Sequence, residues 1–153
     1  ETVNNVWDKD TGVIYGDTIE INPVNNSKYY ANARELKVLK QRGIRLITLT
    51  WNYENCIGYP NSRERTAMEM GLKPFGKMIV KEMNRQGILI DVSHLSDGGF
   101  WDCIRLSEKP VIASHSNCRA LCGHPRNLSD EMLRALGETG GVAGLNFYPH
   151  FVR

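Results

Sequence analysis

Two short stretches decide the fold, Ile88-Leu89-Ile90-Asp91-Val92-Ser93-His94 and Val111-Ile112-Ala113-Ser114-His115. Each is an aliphatic, β-branched run that ends in Ser-His, and Gly87 opens the first while Pro110 opens the second. Runs of this length and composition read as strands buried on both faces. Between them Phe100, Trp101 and Ile104 recur at helical spacing, so the unit reads as strand, helix, strand, and a crossover of that kind makes the two strands parallel. Both carboxyl ends then point the same way, each carrying an imidazole. If the strands are neighbours, about 4.8 Å apart, His94 and His115 converge on one point with the geometry of metal ligands. The period of two agrees: Ile90, Val92 and His94 share one face of the first strand, as do Val111, Ala113 and His115 of the second.

Outward from this unit the chain keeps alternating. A helix is expected over 33–41, with Leu36 and Leu39 inward and Gly43 as its stop, then a strand over 45–50 that ends in the polar and aromatic cluster Trp51-Asn52-Tyr53-Glu54-Asn55. Residues 56–73 form a connection longer than packing requires. A helix over 74–85 places Phe75, Met78, Ile79 and Met83 in the core. After the His115 strand comes an extended loop over 116–128. Ser129 then caps a helix whose first turn carries Asp130 and Glu131, Gly140-Gly141 ends it, and Val142 to Tyr148 is a last strand. Residues 1–33 are an irregular or hairpin segment, with alternation over 13–21 around Gly16-Asp17 and a turn at Asn22-Pro23-Val24-Asn25-Asn26-Ser27. Residues 34–153 form the α/β body with a parallel sheet. Both doubly wound and (β/α)₈ architectures put their sites past the carboxyl ends of such strands.

Composition narrows the function. The 153 residues suit one domain, and a net charge of +2 gives no argument for nucleic acid or an anionic membrane. No apolar run is long enough to span a bilayer. No Gly-rich phosphate fingerprint follows any strand. The four cysteines, Cys56, Cys103, Cys118 and Cys122, lack a second pair at zinc-finger spacing and read as reduced thiols of a cytoplasmic protein, with a disulfide in an exported or anchored form as the alternative. Asp91 reads as a buried structural acceptor on the strand face opposite His94, His124 as a loop residue with a local hydrogen bond, and Asn146 and Tyr148 as candidates to line the site.

Five motifs resemble the membrane (renal) dipeptidase family of zinc metallopeptidases in order and spacing: Ile90 to Ser96, Phe100-Trp101-Asp102, Pro110 to Asn117, His124-Pro125-Arg126-Asn127-Leu128 and Asn146-Phe147-Tyr148. Thr48 to Asn55 and Pro74 to Lys77 resemble its bacterial branch. The resemblance runs from about residue 34 to 153. It implies a (β/α)₈ TIM-type barrel with about half of its strands present, and a centre of two zinc ions that hydrolyses dipeptides. It makes His94 and His115 metal ligands and Arg126 the anchor of the substrate carboxylate. It assigns no side chain here as a catalytic acid or base.

The same resemblance marks what the chain does not contain. No H-x-D pair occurs, nor the family's late Gly-Ser-Asp-type strand, and Trp51 stands where some members have histidine. Glu20 is not assigned the role of the metal-bridging glutamate, because its spacing to Trp51 is too long. A complete barrel takes about 250 residues. The expectation is therefore an inactive fragment of a zinc dipeptidase, with zinc partial or absent, which pairs with a second copy or with the missing barrel half. A non-catalytic module acting by self-association, and another amidohydrolase-type hydrolase, are the alternatives.

Overall fold

The computed structural model describes residues 33–152 and, before them, three short strands. Strand β1 (Val6–Asp8) pairs antiparallel with β2 (Val13–Tyr15). Strand β3 (Ile19–Glu20) joins a different, parallel sheet, so the alternation over 13–21 is not one hairpin. Gly16-Asp17 and the turn expected over 22–27 lie outside the described residues.

That second sheet contains β3, β4 (Leu46–Thr48), β5 (Leu89–Asp91) and β6 (Val111–Ile112), all parallel and in chain order. Helices α1 (Ala33–Gln41), α3 (Pro74–Gln86), α4 (Asp97–Leu106) and α5 (Asp130–Glu138) alternate with the strands, and each packs on the next in a single layer. Strands in sequential order with helices on one side describe an arc of a β/α barrel; a doubly wound sheet would reverse its order and take helices on both faces.

The helix stops explain the regularity. Past α3, Gly87 takes a left-handed φ of 66°, its N–H bonds the Asn84 carbonyl, and the Ile88 N–H bonds the Met83 carbonyl. This 6→1, 5→2 pair is the Schellman motif, which turns the chain directly into β5. The same two bonds recur after α1, leading to β4, and after α5, leading to residue 142. Helix α4 ends differently: Ser107 is extended, and its hydroxyl donates to the Lys109 carbonyl just ahead of Pro110 and β6.

The core lies between the helix layer and the sheet. Leu36 and Leu39 of α1, Ile79, Val80 and Met83 of α3, Phe100 and Cys103 of α4, and Met132 and Leu136 of α5 close on Ile47, Ile90, Val111 and Ala113. Met78, expected inside, is half exposed, and Val80 takes the inward place. The strands are not buried on both faces along their whole length either. Leu89, at the start of β5, is 41% exposed, while Asp91, two residues on along the same face, is fully buried. The strand expected over 142–148 reduces to one parallel bridge, Ala113 to Ala143. Its backbone still pairs with the sheet edge, since the Ala113 N–H donates to the Val142 carbonyl and Gly144 N–H to the Ala113 carbonyl. Inside the long connection over 56–73 the chain forms a further short helix, α2 (Arg65–Glu69).

Candidate metal centre

His94 and His115 meet. Their Nε2 atoms are 2.9 Å apart and their ring centroids 4.9 Å, just past the ends of neighbouring strands paired Ile90 to Val111 and Asp91 to Ile112. The convergence does not come from the strand period, however. Strand β5 ends at Asp91, and Val92 to Leu95 is a turn closed by the Leu95 N–H on the Val92 carbonyl, with His94 at a left-handed φ of 71°. Strand β6 ends at Ile112, and His115 likewise lies in the turn that follows. Turns past the strand ends aim both rings, and positive φ at a non-glycine residue costs on the order of 1 kcal/mol. Asn61 holds that conformation: its backbone N–H and its Nδ2 both donate to the His94 carbonyl.

Below the pair lies Asp91, fully buried. Its Oδ1 accepts the backbone N–H groups of Ser93 and Ser114, at 3.0 and 2.9 Å. Its Oδ2 accepts the Thr48 and Ser114 hydroxyls, at 2.7 and 2.5 Å. Ser114 Oγ is in turn 2.6 Å from His115 Nδ1, and the His115 backbone N–H donates to Ser93 Oγ. Asp91 is thus the acceptor expected, but not on a face remote from the histidines: the turn brings His94 within reach of its charge. The serines and Asn61 received no role in the sequence reading. The signal for the serines was present, because a serine precedes each histidine.

Arg126 is buried beside the pair. Its Nη2 donates to the His115 carbonyl at 3.2 Å and Nη1 to Ser116 Oγ at 3.4 Å, while its guanidinium lies 5.5 Å over the Phe151 ring. Nε has no partner among the described residues, so the fork keeps donor capacity unused. Burial lowers the Arg126 pKa to about 10, which leaves it charged at neutral pH. Burial first and Arg126 second depress both imidazoles, His94 to about 3, so the pair is neutral, the form that ligates metals.

The pair fits a metal. Two imidazole nitrogens each about 2.0–2.1 Å from a tetrahedral zinc are separated by roughly 3.3 Å, so the rings need to part by a few tenths of an ångström. Among the described residues no third His, Cys, Asp or Glu joins them. The Glu20 backbone registers opposite Thr48 at the end of β3, two strands from Asp91. Of the other candidates, His124 accepts the Arg126 backbone N–H through Nδ1, a local bond as expected. Asn146 reaches the His115 carbonyl only at 3.5 Å, and Tyr148 is half exposed against His150 and Phe151. Trp51 and Tyr53 stack edge to face, both exposed, and Asn55 folds inward to accept the Ile57 and Gly58 N–H groups.

The chain resembles known proteins along most of its length. An uncharacterised protein encoded in the pqqA 5′ region of Klebsiella pneumoniae is 38% identical over 126 residues, covering 78% of this chain and 45% of that protein. An uncharacterised dipeptidase of Schizosaccharomyces pombe is 38% identical over 122 residues, 77% of this chain and 29% of its own length. A metallopeptidase from Rhodobacter sphaeroides, solved with a phosphinate mimic of the dipeptide L-Ala-D-Ala, superposes with a TM-score of 0.70 at 34% identity, over 80% of this chain and 36% of that one. A probable dipeptidase from Pseudomonas aeruginosa gives 0.71 at 31% identity, over 80% and 32%. The chain spans less than half the length of each. The sequence profile of the membrane dipeptidase family, peptidase family M19, matches residues 23–153, and the chain belongs to that family.

Proposed function

We propose that this chain is part of a zinc-dependent dipeptidase, contributing two ligands of its metal centre and the anchor for the substrate carboxylate. The observation that carries the reading is the 2.9 Å approach of His94 Nε2 to His115 Nε2 beside a buried, incompletely bonded arginine. His94 and His115, both held neutral, would hold one zinc. When bound, the metal supplies Lewis acidity, polarising the scissile carbonyl and lowering the pKa of water. Arg126 supplies a planar pair of N–H donors that matches a carboxylate, and its buried setting strengthens that contact. The likeness to a metallopeptidase solved with a mimic of L-Ala-D-Ala supports a dipeptide as the substrate. With two ligands from this chain, zinc binds weakly and turnover is absent, since stable catalytic sites use three protein ligands. The remaining ligands belong to the part of the family's barrel that this chain does not span.

The test is elemental analysis and L-Ala-D-Ala hydrolysis on a protein extended to the full length of the relatives, with and without His115→Ala. Bound zinc, and hydrolysis lost in the variant, are the expected results. Zinc-free protein, or hydrolysis unchanged in the variant, sinks the reading.

A second reading concerns association. Val142, Leu145, Phe147 and Tyr148 follow the edge of β6 and are exposed, Phe147 by 84%. An apolar strand edge of this kind is a template for pairing. We propose that it is covered by the remaining barrel strands in the longer protein and by a second copy when the chain stands alone. Sedimentation velocity on the chain should then give a dimer; a monomer at micromolar concentration counts against the second part.

A further inference from the structure

We propose that Asp91, acting through the hydroxyl of Ser114, sets the tautomer of His115, placing its proton on Nδ1 and leaving Nε2 a bare lone pair directed at His94. The inference deepens the metallopeptidase reading and rests on it for its purpose, though not for its test.

The argument is a count of protons. Asp91 accepts four hydrogen bonds, two backbone N–H groups on Oδ1 and two hydroxyls on Oδ2. A carboxylate so filled accepts only. Ser114 has one hydroxyl hydrogen, and its 2.5 Å bond to Asp91 Oδ2 uses it. Toward His115 Nδ1, at 2.6 Å, Ser114 Oγ can therefore only accept, so Nδ1 carries the proton. His115 Nε2 is then unprotonated, and across the 2.9 Å gap His94 Nε2 is the donor. The lone pair left on His94 Nδ1 agrees, since that atom is buried with no partner among the described residues. A metal-binding histidine is oriented by the bond its other nitrogen makes, usually to a carboxylate or a carbonyl. Here a serine is interposed between carboxylate and ring. Asp91 and Ser114 are positioning residues: neither is aimed at substrate, and each acts through the ring it orients.

The arrangement makes an unusual forecast for Asp91→Asn. The two backbone N–H groups on Oδ1 keep the amide oxygen at that position, which turns the amide NH₂ toward Ser114. Ser114 then accepts from the amide and donates to His115 Nδ1, and the proton moves to Nε2. The tautomer inverts, which a purely structural role for Asp91 does not predict. Ser114 itself is exposed, so Ser114→Ala removes the relay without opening a cavity.

The experiment is long-range ¹H–¹⁵N correlation on the ¹⁵N-histidine-labelled chain, metal-free at pH 8, with His115 assigned by its loss in His115→Gln. In the wild type, His115 Nδ1 should show a protonated, pyrrole-type shift and Nε2 an unprotonated, pyridine-type one. Ser114→Ala should give a mixture of the two tautomers, Ser114→Thr should restore the wild-type pattern, and Asp91→Asn should invert it. A wild-type His115 protonated on Nε2 overturns the proposal, as does an unchanged His115 pattern in folded Ser114→Ala. Should Asp91→Asn fail to fold, the Ser114 variants and the wild-type shifts carry the test alone. No metal enters these spectra, so failure here is distinct from failure of the zinc and hydrolysis assays.

Discussion

The carbonyl oxygen of His94 accepts two hydrogen bonds from Asn61, from the backbone N–H at 2.7 Å and from Nδ2 at 3.0 Å. His94 is the one non-glycine residue among those described with positive φ, and this double contact is made at its own peptide group. The loop over 59–61 is fixed there by a further bond, from the Ser96 N–H to the Tyr59 carbonyl. Asn61→Ala leaves the backbone bond and deletes the other. It should destabilise the chain by about 1 kcal/mol, read as a lower urea midpoint with unchanged m-value. No change in midpoint would mean that the turn holds itself.

Acid should destabilise the metal-free chain through the histidine pair. Burial, then Arg126, then His115 lower the His94 pKa from 6.5 to about 3, and burial followed by Arg126 lowers that of His115. Both folded values lie below the unfolded ones, so on acidification the unfolded chain takes up protons first. The stability associated with the neutral pair is therefore complete above the ordinary imidazole pKa and is lost as pH falls from there toward about 3. Urea midpoints measured between pH 7.5 and 4.5 should decline, and His94→Gln should make that decline shallower. Parallel slopes for the two proteins would place the effect elsewhere.

Much of this architecture was legible in the chain. Leu36, Leu39, Gly43, Gly87 and Ser129 mark helix faces and ends by local chemistry, and these marks survive folding because each acts within one turn. The parallel order of the strands was implied by the alternation of helices and strands along the chain, with each helix leading into the next strand through a short connection. What failed was the assumption that a strand pattern continues through its last apolar residue. Val92 is apolar and buried, yet it opens a turn, because the Asp91 carboxylate takes the N–H groups of Ser93 and Ser114 and diverts the backbone from the ladder. The histidines met as expected, but by that turn and not by alternation. The exposure of Leu89 and Met78 was illegible for another reason: burial depends on what covers a face, and periodicity reports only that a face exists.

Two helix glycines should respond in opposite directions to alanine. A Cβ on Gly76 would lie 2.1 Å from the Ile57 carbonyl oxygen, where the start of α3 rests on the loop that also accepts the Lys73 N–H. One on Gly137 in α5 meets nothing within 4 Å. Gly76→Ala should cost about 1–3 kcal/mol through forced separation of helix and loop. Gly137→Ala should gain up to about 1 kcal/mol from helix propensity. Denaturant titration of the two variants checks both signs, and a stable Gly76→Ala would show that the loop yields freely.

Arg126 is a charge that the fold buries at a cost. Its guanidinium is buried, charged and only partly bonded, with Nε unpartnered among the described residues and two contacts at 3.2 and 3.4 Å. Desolvating such a group is costly, and an apolar residue of similar length recovers that cost while keeping the packing on Phe151. Arg126→Met should therefore leave stability within about 1 kcal/mol of wild type or raise it. The charge also depresses both imidazoles, so in the variant the titration midpoints of His94 and His115 should move upward, as followed by ¹H NMR. If the proposed role holds, the same substitution in a protein extended to the length of the relatives should raise KM for a dipeptide far more than it lowers kcat, because a carboxylate anchor would act on substrate and transition state alike. A fall in kcat at constant KM would instead assign Arg126 to the bond-breaking step, and a large loss of stability would make it a structural residue.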